Sequence, residues 1–207
     1  MEVKPAAQRI GIMGGTFDPV HIGHLVLAQR ASEQFELGRV LFMPSADPPH
    51  KRDVPVLASE HRRAMTRLAV EGNNLFEYSD LEFERAGYSY TSDTLQVLGE
   101  RYPGAELYFI MGADSLFAID TWHEPELIFR RAVILAANRL DLPVERLMAR
   151  VEYLKRVFDG RIELIDMPDI AVSSSNIRAM VRGGRSIRYL VTDPVYDYIK
   201  ENGLYTG

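Results

Sequence analysis

Short apolar segments of strand length alternate with longer amphipathic segments along this chain, and this alternation restricts the fold more than any other feature. Strands that alternate with helices build a parallel sheet, because each connecting helix packs back onto it. We therefore predict an α/β fold, a Rossmann-like doubly wound parallel sheet with helices on both faces. The predicted strands are residues 9–13, 40–43, 75–83, 107–111, 132–137 and 161–165, and the predicted helices are residues 22–35, 59–70, 91–101 and 144–158.

The last part of the chain departs from this alternation. From Ser173 onward it has helical character, with breaks at Gly183-Gly184 and at Pro194. A length of 207 residues fits one domain. We expect a single domain over residues 1–207, with a Rossmann-like core over about 8–170 and a small helical C-terminal part over about 173–207.

Composition and charge argue against several classes of protein. The chain contains no cysteine, which removes disulfides, thiol nucleophiles and zinc–thiolate sites. Its formal net charge of −5 argues against non-specific binding to nucleic acid. No apolar run approaches the roughly 20 residues of a membrane span, and residues 1–8 lack the apolar core of a signal peptide. We expect a soluble cytoplasmic protein with no nucleic-acid or membrane partner.

Three polar or glycine-rich segments follow predicted strands directly: residues 14–24, 44–51 and 112–114. In open parallel sheets, ligands bind beyond the carboxyl ends of the strands, where the strand order reverses. We therefore expect these three segments to meet in one site.

The segment GGTFDPVHIGHL, which we call the first motif, joins the first strand to the first helix. Gly14 and Gly15 allow positive φ or the close approach of a phosphate. His21 and His24 are three residues apart, so they share one face of a helix. The N-terminus of a helix favours anions, and the motif therefore predicts a phosphate ligand. It is neither G-x-G-x-x-G nor a Walker A loop.

Other residues of the first motif support this interpretation. Thr16 offers a hydroxyl, Phe17 can plug the turn, and Gly23 leaves room for a flat ring or a close backbone. A histidine by itself is more often a hydrogen-bonded core residue than a ligand. The glycines, the two histidines and the strand–turn–helix context together favour phosphate binding over that simpler interpretation.

A second motif, SSSNIR over residues 173–178, begins the C-terminal helical part. One of Ser173, Ser174 and Ser175 is expected to be the N-cap, and a capping role alone would explain the serines. Arg178 is different, because a cation in the first helical turn opposes the helix dipole. Its position makes sense if Arg178 and nearby N–H groups together hold a phosphate.

These residues carry a resemblance. The first motif resembles the T/H-x-G-H nucleotidyltransferase superfamily, and SSSNIR resembles its second phosphate motif. Within the superfamily, the chain is similar to the bacterial nicotinate-mononucleotide adenylyltransferase family. Further stretches support the narrower match in the expected order: PPHK (48–51), GYSYTSDTL (87–95), MGADS (111–115), TWHE (121–124) and VYDYIKENGLY (195–205).

The resemblance implies an activity and a set of residue roles. The family joins nicotinate mononucleotide to ATP, which gives deamido-NAD and pyrophosphate in NAD biosynthesis, with Mg²⁺ carried mainly by the ATP phosphates and no metal held by protein side chains. The implied catalytic residues are His21, His24, Lys51 and Arg178. The implied ATP-binding residues are Gly14, Gly15, Thr16, Phe17, Gly112, Asp114, Ser174 and Arg178, and the implied mononucleotide-binding residues are Thr91, Trp122, His123 and Arg139.

The chain also departs from the family pattern. Residues 172–175 read VSSS where the family usually has ISST, and a hydroxyl is retained. His123 stands where the family often has an aromatic residue, which puts ring contacts there in question. Arg139-Leu140-Asp141 replaces a common Arg-Pro-Gly.

Several alternatives stay open on sequence alone. Trp122 could be a core or lid residue, Asp114 a helix cap, and Lys51 a solvated surface residue. The chain could act on another acceptor, as a pantetheine-phosphate adenylyltransferase or a cytidylyltransferase does, or bind nucleotides as a sensor without turnover. The choice between nicotinate and nicotinamide mononucleotide, and the oligomeric state, homo-oligomers included, are also open.

Overall fold

The computed structural model describes residues 8–47, 56–85, 87–137 and 143–206. Six parallel strands form one sheet in the order β3-β2-β1-β4-β5-β6. The strands are β1 (Arg9–Gly15), β2 (Arg39–Pro44), β3 (Phe76–Tyr78), β4 (Glu106–Gly112), β5 (Ala132–Ala137) and β6 (Ile162–Ile165). The predicted parallel sheet is confirmed.

Helices cover both faces of the sheet, because the strand side chains alternate between two separate apolar clusters. On β5, Val133 and Leu135 enter one cluster while Ile134 and Ala136 enter the other. The first cluster is covered by α1 (Ile22–Phe35), α2 (Ser59–Val70), α7 (Ser174–Arg182) and α8 (Asp193–Glu201). The second is covered by α3 (Thr91–Arg101), α4 (Ala113–Ala118), α5 (Pro125–Arg131) and α6 (Val144–Phe158). Within the described ranges, no helix combines the length and apolar character needed to cross a membrane.

The structure corrects the predicted elements in two places. The strand predicted over residues 75–83 is limited to Phe76–Tyr78, and a 3₁₀ turn follows at Leu81–Phe83. The helices α4 and α5 were not predicted, because segments of 6 and 7 residues are too short to show helical periodicity. The predicted break at Pro194 is the start of α8, where proline occupies the first turn.

The strand order places the candidate segments at one point of the sheet. The chain runs outward from β1 to β2 and β3, and then crosses to β4 on the other side of β1. At the carboxyl edge Gly15 lies opposite Pro44 on β2, and Gly112 on β4 lies opposite Ala137. The first motif and the segment after β4 therefore flank the point where the strand order reverses, as expected for a ligand site.

A buried arginine fastens the first motif to the loop after β2. Arg62 of α2 is 2% exposed, and its guanidinium donates only to backbone carbonyl oxygens. Nη1 bonds to Thr16 at 2.9 Å and to Ser45 at 2.7 Å. Nη2 bonds to Ala46 at 3.3 Å, and Nε to Leu57 at 3.0 Å. Burial lowers the pKa of this guanidinium from its ordinary value.

The Arg62→Lys variant tests this role. Lysine keeps the charge but loses the planar fork, so buried carbonyls lose their donors and the free energy of unfolding falls by about 2–4 kcal/mol. Arg67→Lys on the same helix is the matched control, because that side chain is 57% exposed, and its effect should stay below about 0.5 kcal/mol. Urea denaturation of both variants measures the difference. If both variants lower the free energy of unfolding by the same small amount, Arg62 does not hold these loops together.

Candidate active site

The first motif turns sharply between β1 and α1. Gly14 and Gly15 belong to β1, and neither uses the positive φ that glycine allows. The left-handed residue is Phe17, with φ 49°. A Cβ on Gly15 would lie 3.1 Å from the Phe17 ring, a contact tight enough that the ring would have to shift by a few tenths of an ångström. Glycine therefore fits this close aromatic neighbour, and Phe17, 2% exposed, plugs the turn.

The two histidines lie in contact at the start of α1. His21 is the N-cap and His24 lies in the first turn, with ring centroids 3.7 Å apart and ring planes 23° apart. The His21 backbone N–H donates to Nδ1 of His24 at 3.2 Å. Since Nδ1 accepts a hydrogen bond, the proton of a neutral His24 ring sits on Nε2. Nε2 is therefore the hydrogen-bond donor of this imidazole.

His21 is uncharged at neutral pH. Burial lowers the pKa of its imidazole to about 4, because a charged ring loses its hydration inside the protein. The N-terminus of α1 is also partly satisfied within the protein, since the Ile22 N–H donates to the Leu190 carbonyl at 2.9 Å. The hydrogen-bonding groups at this end of α1 therefore include the imidazoles as well as backbone groups.

The second motif contacts the first directly. Ser173 is the N-cap of α7, and its Oγ accepts from the Asn176 N–H at 3.2 Å. Ser174 Oγ donates to the Pro19 carbonyl at 2.8 Å, and Arg178 Nη1 donates to the Asp18 carbonyl at 2.7 Å. Ser173 is thus explained by capping, whereas Ser174 and Arg178 are explained in part by contacts that hold the two motifs together.

Gly23 lies close to Val172, the residue that precedes the second motif. A Cβ at Gly23 would lie 2.9 Å from Val172 Cγ1 and 3.1 Å from the His21 ring. The expected room is therefore filled by the His21 ring and by a side chain, Val172, rather than by a close backbone. A side chain at this position would separate α1 from the second motif or displace His21.

A cavity of about 700 Å³ lies at the carboxyl ends of β1 and β4. Its lining brings together parts of the first motif and the residues predicted to bind the mononucleotide, which lie more than 60 residues further along the chain. We call it the acceptor cavity. The predicted site residues that line it are Gly14, Gly15, Thr16, His24, Thr91, Gly112, Trp122 and His123.

The side chains of the acceptor cavity are arranged around two aromatic contacts. Trp122 is half-buried and packs edge-on against Phe109, with centroids 6.1 Å apart. The ring of His123 lies 4.2 Å from that of Tyr90. Thr91 is the first residue of α3, so a helix N-terminus faces this region of the protein. The His123 side chain is 45% exposed and stands at the rim.

A second cavity, of about 520 Å³, lies on the other side of His24. We call it the nucleotide cavity. It is lined by both histidines and Gly23, by Gly112 and Asp114, and by the loop that leads into α7, including Ser173 and Ser174. His24 and Gly112 line both cavities. Arg178 and Phe17 are among the lining residues of neither: Arg178 bonds to the Asp18 carbonyl, where the two motifs meet, and Phe17 is buried in the turn.

The described residues include one group of side chains able to hold a metal ion. Asp93, His123 and Glu124 place their ligand atoms within 4.8 Å of one another. This group lies at the rim of the acceptor cavity, away from the contact between the two motifs. Within the first motif, the Asp18 carboxylate is 3% exposed and already bonded to Tyr205 and to the Leu57 N–H.

Two predicted site residues, Lys51 and Arg139, lie outside the described residues, as does the whole PPHK segment. Other lining residues were not predicted. Glu82 lines the acceptor cavity and accepts from Thr94 Oγ1 at 2.7 Å, and burial raises the pKa of its carboxyl. Arg62 was also missed, although an arginine in phase with Met65 and Ala69 on the apolar face of a helix is a recognisable signal.

Comparison with known proteins agrees with this geometry. Residues 12–194 match the cytidylyltransferase-like family. The chain is 43% identical over 205 residues to a protein of Desulfitobacterium hafniense named probable nicotinate-nucleotide adenylyltransferase, covering 99% of each chain. A protein of Moorella thermoacetica with the same name is 44% identical over 198 residues, covering 95% of this chain and 91% of its own.

Solved structures show the same fold at lower identity. The nicotinic acid mononucleotide adenylyltransferase of Plasmodium falciparum complexed with NaAD superposes with a TM-score of 0.77 at 22% identity, covering 96% of this chain and 97% of that one. The full-length identities above, the sequence motifs and the two cavities that meet at His24 all indicate the same family. The chain belongs to the nicotinate-nucleotide adenylyltransferase family of cytidylyltransferase-like nucleotidyltransferases.

Proposed function

We propose that this protein condenses nicotinate mononucleotide with ATP to give deamido-NAD and pyrophosphate, as a step of NAD biosynthesis. The observation that carries the proposal is the position of His24 in the lining of both cavities. Adenylyl transfer needs two phosphate-bearing substrates to meet at one point, and His24 marks that point. The names of the relatives support the identity of the substrates.

The ATP phosphates bind where the first motif meets the second. The Nε2 donor of His24 contacts the phosphates, with His21 stacked behind it. Arg178 uses one nitrogen for the Asp18 carbonyl, and a guanidinium has five N–H donors in total. Arg178 and Ser174, with Lys51 as a further cation, neutralise the charge that grows on the departing pyrophosphate. Preorganised donors of this kind contribute a few kcal/mol each to the transition state.

The rest of the nucleotide lies along the sheet edge between the two cavities. Gly14, Gly15 and Thr16 line its path, with Phe17 beneath them as support. Gly112 ends β4 without a side chain, and no heavy atom outside its chain neighbours lies within 4 Å of a Cβ built on it. Asp114, at the start of α4 in the nucleotide cavity, binds the ribose hydroxyls.

The acceptor cavity takes the mononucleotide. Trp122 stacks on the pyridine ring, and the N-terminus of α3 at Thr91 attracts the negative carboxylate of nicotinate. His123 closes the rim beside Tyr90, and Arg139 adds a cation for the acceptor phosphate. The acceptor phosphate is already an anion, so it attacks the α-phosphorus in line without a strong general base. Positioning of the two substrates supplies several kcal/mol of the acceleration.

Mg²⁺ would be held mainly by the ATP phosphates. Its preferred ligands are oxygen atoms in octahedral geometry, commonly substrate phosphates and water. The carboxylate inside the first motif, Asp18, is buried and bonded to Tyr205 and Leu57. The groups assigned to the phosphates are therefore cations, hydroxyls and N–H donors, while the carboxylates that line the nucleotide cavity are those of Asp114, assigned to the ribose, and Asp169. Such phosphate contacts would suit a metal held by phosphate oxygens. When bound, the metal neutralises phosphate charge.

The choice of acceptor substrate tests the proposed function. With ATP and Mg²⁺, nicotinate mononucleotide should release pyrophosphate with kcat/KM at least about tenfold above that of nicotinamide mononucleotide, because a charged acceptor group makes the stronger hydrogen bonds to N–H donors. A pyrophosphate-coupled assay with both acceptors measures the ratio. Turnover with phosphopantetheine, or with CTP in place of ATP, would contradict the proposal. So would ATP binding without pyrophosphate release.

His24→Ala tests the phosphate role. Loss of the Nε2 donor should lower kcat by about 10²–10³-fold while the far-ultraviolet circular dichroism stays unchanged. His61→Ala is the matched control, because His61 lies on α2 and bonds to Tyr198 rather than lining either cavity. Steady-state kinetics measure turnover in both variants. If His24→Ala keeps near-normal turnover, as His61→Ala should, His24 has no catalytic role.

A further inference from the structure

Asp18 is a buried carboxylate at the centre of the junction between the two motifs. It is 3% exposed. Its Oδ1 accepts from the Tyr205 hydroxyl at 2.7 Å, and its Oδ2 accepts from the Leu57 N–H at 3.4 Å. Arg178 Nη1 lies 3.8 Å from Oδ2 but donates to the Asp18 backbone carbonyl at 2.7 Å. Tyr205 and Arg178 thus approach the same residue from two parts of the C-terminal region.

Backbone hydrogen bonds at the C-terminal end of α8 position Tyr205 beside Asp18. Gly203 has φ 58°, and its N–H donates to the Lys200 carbonyl at 3.2 Å. The Leu204 N–H donates to the Ile199 carbonyl at 3.0 Å. These two bonds and the left-handed glycine form a Schellman motif that ends α8. Leu204 is buried in the first apolar cluster, so the next residue has a fixed direction.

The Tyr205 hydroxyl stays protonated in this environment. Burial raises the pKa of the phenol, and the hydrogen bond to the Asp18 carboxylate raises it further. A phenol that keeps its proton is a permanent donor to Oδ1. The carboxylate charge is balanced mainly by Arg178 and, less directly, by the Arg62 guanidinium, which also interacts electrostatically with Asp18.

From this geometry we infer that Tyr205 is a positioning residue for the ATP site. Its hydroxyl donates a hydrogen bond to the Asp18 carboxylate. Arg178 can therefore bond to the Asp18 backbone carbonyl and keep its other N–H groups for the nucleotide phosphates. Without the hydroxyl, a buried carboxylate oxygen lacks a donor, which is costly. That oxygen is Oδ1, and the Arg178 guanidinium, whose Nη1 lies 3.8 Å from the neighbouring Oδ2, is the cation able to turn toward it. A hydrogen-bonded ion pair with Oδ1 would then draw the guanidinium away from the phosphates.

The inference deepens the proposed function and predicts a selective kinetic change. Tyr205→Phe keeps the ring and removes only the hydroxyl. The KM for ATP should rise about tenfold, the scale expected for one hydrogen bond to a charged group, while the KM for nicotinate mononucleotide stays within about twofold. KM does not depend on the fraction of folded enzyme, so partial unfolding cannot produce this difference between the two substrates.

Tyr198→Phe is the matched control. It makes the same substitution in the same C-terminal segment and also removes one hydrogen bond, the one between the Tyr198 hydroxyl and His61 Nδ1 at 2.9 Å. That bond joins α8 to α2 and does not touch Asp18. The control should leave the KM for ATP within about twofold of the parent protein. An equal rise in both tyrosine variants would mean that the C-terminal segment only stabilises the fold, and would overturn the inference.

A double-variant comparison separates positioning from general structure. If Tyr205 acts through Arg178, then adding Tyr205→Phe to Arg178→Ala should cause no further rise in the KM for ATP. If the two substitutions instead raise the KM for ATP independently, so that their factors multiply in the double variant, the inference is contradicted. Calorimetric titration with ATP alone gives the same comparison as Kd values. It keeps the test separate from the proposed function, because it requires no turnover with nicotinate mononucleotide.

Discussion

The hydrogen bond from Arg178 to the Asp18 carbonyl is the contact on which the organisation of the active site depends. It closes the C-terminal helical segment onto a turn that follows the first strand, across a sequence separation of 160 residues. The bond from Ser174 to Pro19 runs beside it. The buried Asp18 carboxylate beneath these bonds requires compensating donors and cations. This requirement explains why an arginine stands near the N-terminal end of α7, where it is the fifth residue and lies just beyond the first turn that was predicted for it.

The two cavities follow from that closure. The parallel sheet supplies a crevice between β1 and β4, where the strand order reverses. The loop before α7 forms one wall of the nucleotide cavity, and the first motif separates it from the acceptor cavity. The stacked histidines stand on this boundary, with His21 held neutral by burial and His24 oriented through Nδ1. Transfer between two bound substrates is the chemistry that such a boundary supports.

The sequence predicted the parts of this protein that depend on local periodicity. The central strands and the helices α1, α2, α3 and α6 follow from apolar spacing, and α4 and α5 were missed because they are short. The first motif was recognised from its residues. Its glycines do not use the positive φ that glycine allows. Gly15 lies close to the Phe17 ring, and Gly23 leaves the room that was expected there, which His21 and Val172 fill.

The supporting residues of the site could not be predicted in the same way. Tyr205 and Asp18 are 187 residues apart, and Arg62 bonds to carbonyls on both sides of β2. Such contacts arise from tertiary packing and leave no periodic signal in the chain. The predicted roles of His24, Asp114, Thr91 and Trp122 remain predictions, although the structure gathers these four residues around two adjoining cavities.

The central claim is that the two motifs form a single phosphate site. A crystal structure of the protein with a non-hydrolysable ATP analogue and Mg²⁺ tests it most directly. The account predicts that the phosphates lie within hydrogen-bond distance of His24 Nε2 and of the Arg178 guanidinium, with the Tyr205–Asp18 bond still in place. Phosphates bound away from α7, or an Arg178 side chain that pairs with the Asp18 carboxylate instead, would contradict it.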